Sequence, residues 1–230
     1  MKAFLLMTTG RAGSTALMDR LSLYEDIGVP NNQIACRDNE ILHPEFKQNY
    51  ATLYQQITGV SVTDEISLIN AFFMSNQNMA FSGFKSMPNR HKNLQAILNA
   101  NIQIISLNRI DLASTVASFI IATDAGTWRR EGGKQPHSFT FGPKYEQRTE
   151  GHLYYIVKSM QLLKSIPDAI HINYEDLCQK SFSNKQLNDF FMRDIQISNP
   201  KKPTIADHYV KNWQQFEKFI NLKLKQFTSS

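Results

Sequence analysis

The sequence has 230 residues, 42% of them hydrophobic, which is enough to bury a sizeable core and fits one α/β domain better than two. Its net charge of +5 comes from lysines and arginines scattered along the chain, which favours an anionic ligand and argues against nucleic acid as a partner. Two distant cysteines, Cys36 and Cys178, exclude a disulfide framework and predict a cytoplasmic protein, and no apolar stretch approaches the roughly 20 residues of a membrane-spanning helix.

The chain is predicted to open with a strand, a loop and a helix. Residues 3–8 form a short, continuous apolar run, as expected of a parallel strand buried on both faces. From Ser14 onward apolar residues recur at helical spacing, and Ser14 or Thr15 is predicted to cap this helix. Residues 25–44 are rich in Asp, Asn and Pro, which predicts irregular backbone.

The rest of the chain alternates between predicted strands and helices. Strands are predicted at residues 79–85, 102–107 and 169–173, and helices at 50–58, 64–74, 93–99, 111–123, 151–165, 185–191 and 206–219. Residues 129–150 are polar and contain glycine, which predicts a mobile cover over a site. This alternation predicts a single domain over residues 1–230, with an α/β fold in which helices cover both faces of a central parallel sheet.

The loop after the first strand is the most informative stretch, and it reads TTGRAGSTAL. Gly10 and Gly13 permit a sharp turn and a close approach of the backbone to a ligand, while the following helix directs N–H groups at one point. The loop therefore predicts an anion site. It lacks the four-residue spacing and the lysine of a nucleotide-kinase P-loop, and it lacks the third glycine of a dinucleotide-binding fingerprint.

This loop resembles the 5′-phosphosulfate loop of sulfotransferases that use 3′-phosphoadenosine 5′-phosphosulfate (PAPS). The resemblance implies that PAPS is the sulfuryl donor and that the three-layer fold is P-loop-like. It also implies a set of donor-binding residues, namely Arg11, Ala12, Gly13, Ser14 and Thr15. The other interpretation of the same residues is an ordinary glycine turn between a strand and a helix.

A second motif follows the predicted strand at residues 102–107 and reads NRIDLASTVAS. Arg109, Asp111 and Ser118 are spaced as in the 3′-phosphate motif of the same family, and Arg109 and Ser118 are the implied phosphate ligands. Residues 119–130 look like the segment after this motif in bacterial carbohydrate and glycolipid sulfotransferases of the trehalose type. The sequence YEDL at residues 174–177 and the late segment 207–219 are also similar to family features.

The resemblance further implies the groups that act in catalysis. The bacterial enzymes use a glutamate after the first helix as general base, and Glu40 is the best match, with Asp38 and His43 as rivals on the same segment. Lys85 resembles a lysine that faces the active site, and Arg11 is expected to stabilise charge on the leaving phosphate. The acceptor is expected to be a small molecule or glycan, with its pocket lined by residues 25–59 and 129–150.

Two other functions are compatible with parts of the pattern. A small-molecule kinase would need ATP, a lysine in the loop and acidic ligands for Mg²⁺, and a non-catalytic nucleotide-binding module would tolerate loss of any base. The histidines are dispersed without metal-like spacing, so no metal site is predicted.

Overall fold

The computed structural model describes residues 1–30, 40–45, 47–91, 94–98, 100–124, 138–179, 182–196 and 206–228. The chain forms two compact units. The sheet unit consists of Met1–Asn108 and Leu163–Pro200, and the helical unit consists of Arg109–Leu162 and Lys201–Ser230.

The sheet unit is built on five parallel strands in the order β2-β3-β1-β4-β5. The strands are β1 (Lys2–Thr8), β2 (Ile27–Gly28), β3 (Phe81–Ser86), β4 (Ile102–Asn108) and β5 (Ile170–Asn173). The prediction of a parallel α/β sheet is thus confirmed. β2 was not predicted, because two residues are too few to show any periodicity and they lie in a segment of irregular composition.

The helices are α1 (Ser14–Leu21), α2 (Lys47–Thr58), α3 (Glu65–Ser75), α4 (Leu94–Leu98), α5 (Leu112–Asp124), α6 (Pro143–Ser165), α7 (Tyr174–Leu177), α8 (Lys185–Phe191) and α9 (Trp213–Thr228). Short 3₁₀ helices occupy Pro88–Arg90 and Ala206–Tyr209.

Side chains of β1 alternate between two hydrophobic clusters, one on each face of the sheet. Phe4 and Leu6 pack with α1 and α8, whereas Leu5 and Met7 pack with α2, α3 and α4. Successive side chains of a strand point to opposite faces, so a strand covered on both sides must be apolar at every position. This explains the continuous apolar run in the sequence and confirms the three layers within the sheet unit.

The carboxyl ends of β3, β1 and β4 lie at the same edge of the sheet, and the candidate site lies at this edge. Met7 pairs with Ser86 of β3, and Thr8 pairs with Leu107 of β4. From β1 the chain continues to β2 on one side, and from β4 it continues to β5 on the other. Adjacent parallel strands whose connections diverge in this way leave a crevice at their carboxyl ends, where ligands of α/β proteins bind.

The helical unit has its own core between α5, α9 and the part of α6 that ends at Leu162. The core consists of buried aliphatic and aromatic side chains, among them Val116, Phe119, Ile156, Phe216 and Ile220. A bridge between Phe139 and Val210 holds the remaining chain against these helices. Two hydrogen bonds add to it: the Phe141 N–H donates to Asn212 Oδ1, and Asn212 Nδ2 donates to the Phe141 carbonyl.

Two predicted elements differ from the observed ones. α6 begins at Pro143, so residues 143–150 are helix and not part of a loop; residues 129–137 of the predicted cover lie outside the described residues. A proline in the first helical position followed by polar helix formers starts a helix well before its apolar stripe appears. The predicted helix at 206–219 is a 3₁₀ helix followed by α9, which continues to Thr228. Of the helices described, none is long and apolar enough to cross a membrane.

Candidate active site

The loop after β1 turns through three residues with positive φ. Gly10, Arg11 and Gly13 have φ values of 78°, 54° and 77°. This conformation is easy for glycine but strained for arginine, so the surrounding loop must hold Arg11 in place. Left-handed residues near the start of a helix turn successive N–H groups toward one side, and such a concave backbone binds anions. The backbone of the loop therefore has a conformation that suits anion binding.

α1 begins with a backbone cap at Gly13. The Gly13 carbonyl accepts hydrogen bonds from the N–H groups of Ala16 and Leu17, at 3.0 Å and 3.3 Å. The prediction that Ser14 or Thr15 caps the helix is wrong, because both residues lie inside the first turn. A glycine in the left-handed conformation can start the helix without a side chain. The N–H groups that precede Ala16 lie at the start of the helix, where an α-helix offers no intrahelical acceptor, and they face the end where an anion would lie.

Lys85 joins β3 to the first turn of α1. It pairs with Leu6 of β1, which packs on the α1 face of the sheet, so the Lys85 side chain also extends on that face. Its Nζ donates a hydrogen bond of 3.0 Å to Thr15 Oγ1. The side chain is only 4% exposed, which makes Lys85 a buried cation at the edge of the sheet.

Glu40 lies on the other side of the Lys85 ammonium group. Glu40 Oε1 is 3.7 Å from Lys85 Nζ, and the Glu40 side chain is 6% exposed. The next two residues, Ile41 and Leu42, are buried in the cluster under α2 and α3, which anchors this part of the chain. The structure thus brings together Thr15, Glu40 and Lys85, which are far apart in the sequence. The Glu40 carboxylate is buried and does not lie on a surface loop.

The two rival bases have different positions. His43 is half-buried, and its Nδ1 accepts a hydrogen bond of 3.3 Å from the Glu45 N–H. Its own N–H donates to the Glu40 carbonyl, so a turn separates the two side chains. Asp38 lies outside the described residues.

The second motif follows β4 into the helical unit. Arg109 comes directly after Asn108, the last residue of β4, and is 4% exposed. Ser118 is half-buried in the middle of α5. Asp111 has a structural role, because its Oδ1 accepts a hydrogen bond of 2.9 Å from the Ser114 N–H and so caps α5.

Two features of the sheet unit near the same edge were not predicted. Tyr174, the first residue of α7, packs its ring on Gly13. Glu65 and His91 form a second buried pair, with 3.1 Å between Glu65 Oε1 and His91 Nδ1. Desolvation lowers the pKa of His91, and the nearby Glu65 carboxylate raises it by a smaller amount. Both features depend on contacts between residues distant in the sequence, so no local pattern indicates them.

The residues that the structure describes contain no group of three or more His, Cys, Asp or Glu side chains that could hold a metal ion.

No protein-family model and no curated protein matches the sequence. Among solved structures, the chain is similar to a sulfotransferase domain from the curacin biosynthetic pathway. The two chains are 15% identical, the TM-score is 0.50, and the match covers 99% of this chain and 98% of the other. At this level of identity the likeness establishes the fold, which is that of a sulfotransferase domain.

Proposed function

We propose that this protein is a sulfotransferase that moves a sulfuryl group from PAPS to a hydroxyl of a carbohydrate, glycolipid or other small acceptor. The observation that carries the proposal is the buried contact of Lys85 with Thr15 and Glu40. It puts a cation and a carboxylate beside the first turn of the helix that follows an anion-binding loop. The fold shared with a sulfotransferase domain supports this function.

The loop after β1 is proposed to hold the 5′-phosphosulfate. Residues Ala12 to Thr15 would supply backbone N–H groups and two hydroxyls, and Arg11 would supply a permanent positive charge. During transfer, negative charge develops on the oxygen that bridges sulfur and phosphorus. Donors that are fixed before the reaction stabilise such charge best, and the constrained loop conformation fixes them.

Glu40 is proposed as the general base. The acceptor oxygen attacks the sulfur, the bond between sulfur and the bridging oxygen breaks, the hydroxyl proton moves to the Glu40 carboxylate, and adenosine 3′,5′-bisphosphate (PAP) leaves. The burial of Glu40 supports this role, because a carboxylate held in a fixed, largely dry position is suited to meet one hydroxyl. Lys85 is close enough to Glu40 and to the first turn of α1 to balance charge at both places.

Arg109 and Ser118 are proposed to bind the 3′-phosphate of the donor. A guanidinium binds phosphate through two parallel hydrogen bonds, and the near-complete burial of Arg109 fits a residue that meets a charged ligand. The single domain over residues 1–230, the cytoplasmic location and the absence of a nucleic-acid partner stay predictions.

The proposal is tested by incubating the purified protein with ³⁵S-labelled PAPS and a panel of carbohydrates and glycolipids. Transfer of label to an acceptor that depends on Glu40 is the expected result. A parallel incubation with γ-³²P-labelled ATP and Mg²⁺ tests the kinase alternative. Tight binding of PAP without label transfer to any acceptor would favour a non-catalytic module, and failure to bind PAP would exclude the donor itself.

A further inference from the structure

Lys85 lies between the Glu40 carboxylate and the first turn of α1, which borders the proposed phosphosulfate site. Its Nζ is 3.0 Å from Thr15 Oγ1, within hydrogen-bonding distance, and 3.7 Å from Glu40 Oε1. Hydrogen bonds between an ammonium group and a carboxylate are usually about 2.7–2.9 Å long. The contact with Glu40 is therefore a loose ion pair. The contact with Thr15 is well formed, because 3.0 Å lies within the usual range of about 2.7–3.2 Å for an N–H···O hydrogen bond.

The burial of Lys85 strengthens the electrostatic interactions of its ammonium group. The Lys85 and Glu40 side chains are 4% and 6% exposed, so water screens their attraction poorly. An ammonium group is a compact charge on a flexible stem, and it can change partners through small rotations. Thr15, in contrast, belongs to the first turn of α1 and keeps Lys85 close to the place where a phosphosulfate would bind.

On the basis of the proposed function, we propose that Lys85 exchanges partners when the donor binds. Without donor, Lys85 forms the ion pair with Glu40. When a phosphosulfate fills the loop, the ammonium group stays beside Thr15 and turns to the sulfate oxygens. Glu40 Oε1 then becomes available to the acceptor hydroxyl, so donor binding prepares the base.

This exchange predicts that the donor and the acceptor strengthen each other's binding. A donor that draws Lys85 away from Glu40 also favours the binding of an acceptor hydroxyl to Glu40, and coupling between two ligand sites is reciprocal. The acceptor should therefore bind more tightly in the presence of PAPS, and PAPS more tightly in the presence of the acceptor. PAP has no sulfuryl group, so it should leave the ion pair in place.

The experiment is a double-mutant cycle read out by donor binding in the intact chain. Calorimetric titrations with PAPS and with PAP are performed on wild type, Glu40→Gln, Lys85→Met and the double variant. Glu40→Gln is expected to bind PAPS about 5-fold or more tightly than wild type, because the ion pair between Lys85 and the Glu40 carboxylate is removed. PAP binding should be unchanged, and Glu40→Gln should have no effect in the Lys85→Met background.

Each other outcome has a distinct meaning. A Glu40→Gln effect of the same size in the Lys85→Met background would show simple repulsion between Glu40 and the sulfate, and would overturn the exchange. No effect in either background would overturn it as well. Failure of wild type to bind either nucleotide would instead contradict the proposed function.

If Glu40→Gln does not fold, the conservative variant Glu40→Asp provides a second test of the exchange. Glu40→Asp retains the charge and shortens the side chain by one methylene, which draws the carboxylate back from Lys85. It should tighten PAPS binding in the same direction by a smaller factor, again without effect on PAP. Equal PAPS affinity of wild type and a folded Glu40→Asp variant would contradict the exchange.

Discussion

The ring of Tyr174 lies against Gly13 so closely that a Cβ built on Gly13 would stand 2.6 Å from Tyr174 Cδ2. Gly13 also has a φ of 77°, which favours glycine. Tyr174, at the start of α7, thus contacts the turn that begins α1. The shape of the loop after β1 therefore depends on a contact between residues that are far apart in the sequence.

Gly13→Ala is expected to destabilise the protein and to weaken nucleotide binding. The left-handed conformation alone costs a residue with a Cβ about 1–2 kcal/mol. The clash with Tyr174 adds to this cost and displaces the loop. The checks are urea unfolding for the free energy and calorimetric titration with PAP for binding.

Gly59 offers a matched control for the clash. It has a φ of 71°, and a Cβ built there would meet nothing within 4 Å. Gly59→Ala should therefore show the conformational cost without the clash and without loss of PAP binding. Equal destabilisation of the two variants, together with normal PAP binding by Gly13→Ala, would contradict the importance of the Tyr174 contact.

Glu40→Gln is expected to abolish most of the turnover while nucleotide binding persists. A positioned general base contributes about 10²-fold to 10⁴-fold to the rate, and glutamine has nearly the same shape without the ability to take the proton. The measurement is initial rate of ³⁵S transfer under donor saturation, with PAP binding measured in parallel.

His43→Gln is the control for Glu40→Gln, because His43 is the alternative general base that lies within the described residues. Its Nδ1 accepts a hydrogen bond from the Glu45 backbone N–H. We expect it to retain most of the activity. If Glu40→Gln has wild-type turnover and His43→Gln does not, His43 is the base; if both are active, the role passes to Asp38.

Much of the sheet unit could be predicted from the sequence because its signals are local. The apolar run of β1 and the two glycines of the following loop act on neighbouring residues, so they are visible in a short window. β2 and the start of α6 at Pro143 could not be predicted from the same patterns. A two-residue strand has no period, and the first turns of α6 are polar.

Only part of the candidate site could be predicted, because its contacts join residues that are distant in the sequence. Glu40 and Lys85 could be selected because their segments resemble those of bacterial sulfotransferases, but their contact could not be derived. The hydrogen bond between Lys85 and Thr15 joins residues 70 positions apart. It depends on the parallel pairing of β1 with β3, and a sequence alone does not determine strand order. The role of Asp111 as a helix cap was missed because a carboxylate one residue before a helix suits both a cap and a motif.

Arg11→Ala and Arg109→Ala are expected to weaken PAP binding for different reasons. Each charged hydrogen-bonding contact contributes about 1.5–3 kcal/mol, so each variant should lose roughly 10-fold to 100-fold in affinity. AMP separates the two effects because it lacks the 3′-phosphate. Arg11→Ala should weaken AMP and PAP alike, whereas Arg109→Ala should weaken PAP and leave AMP unchanged. Equal losses for both nucleotides in Arg109→Ala would remove Arg109 from the 3′-phosphate.

The buried pair of Glu65 and His91 predicts a pH dependence of stability. Desolvation holds the pKa of His91 below its usual range, against the smaller opposite effect of Glu65. The unfolded chain therefore takes up a proton near the ordinary histidine pKa of about 6.5, while the folded chain resists it. Stability should be fully present above that pH and should fall as the pH drops below it, with a slope of at most about 1.4 kcal/mol per pH unit. His152, whose pKa desolvation and Arg148 also lower, contributes in the same direction.

His91→Asn tests this prediction, because asparagine keeps a donor near the position of Nδ1 and does not titrate. Urea unfolding between pH 5 and pH 8, approximately the range in which a histidine changes charge, should show a shallower fall in unfolding free energy for this variant than for wild type. His152→Asn serves as a matched control that retains the contribution of His91, and the double variant should have the flattest profile. A His91→Asn profile parallel to that of wild type would show that His91 is protonated equally in the folded and unfolded chains. In that case the desolvation of its ring would be offset entirely by the carboxylate of Glu65.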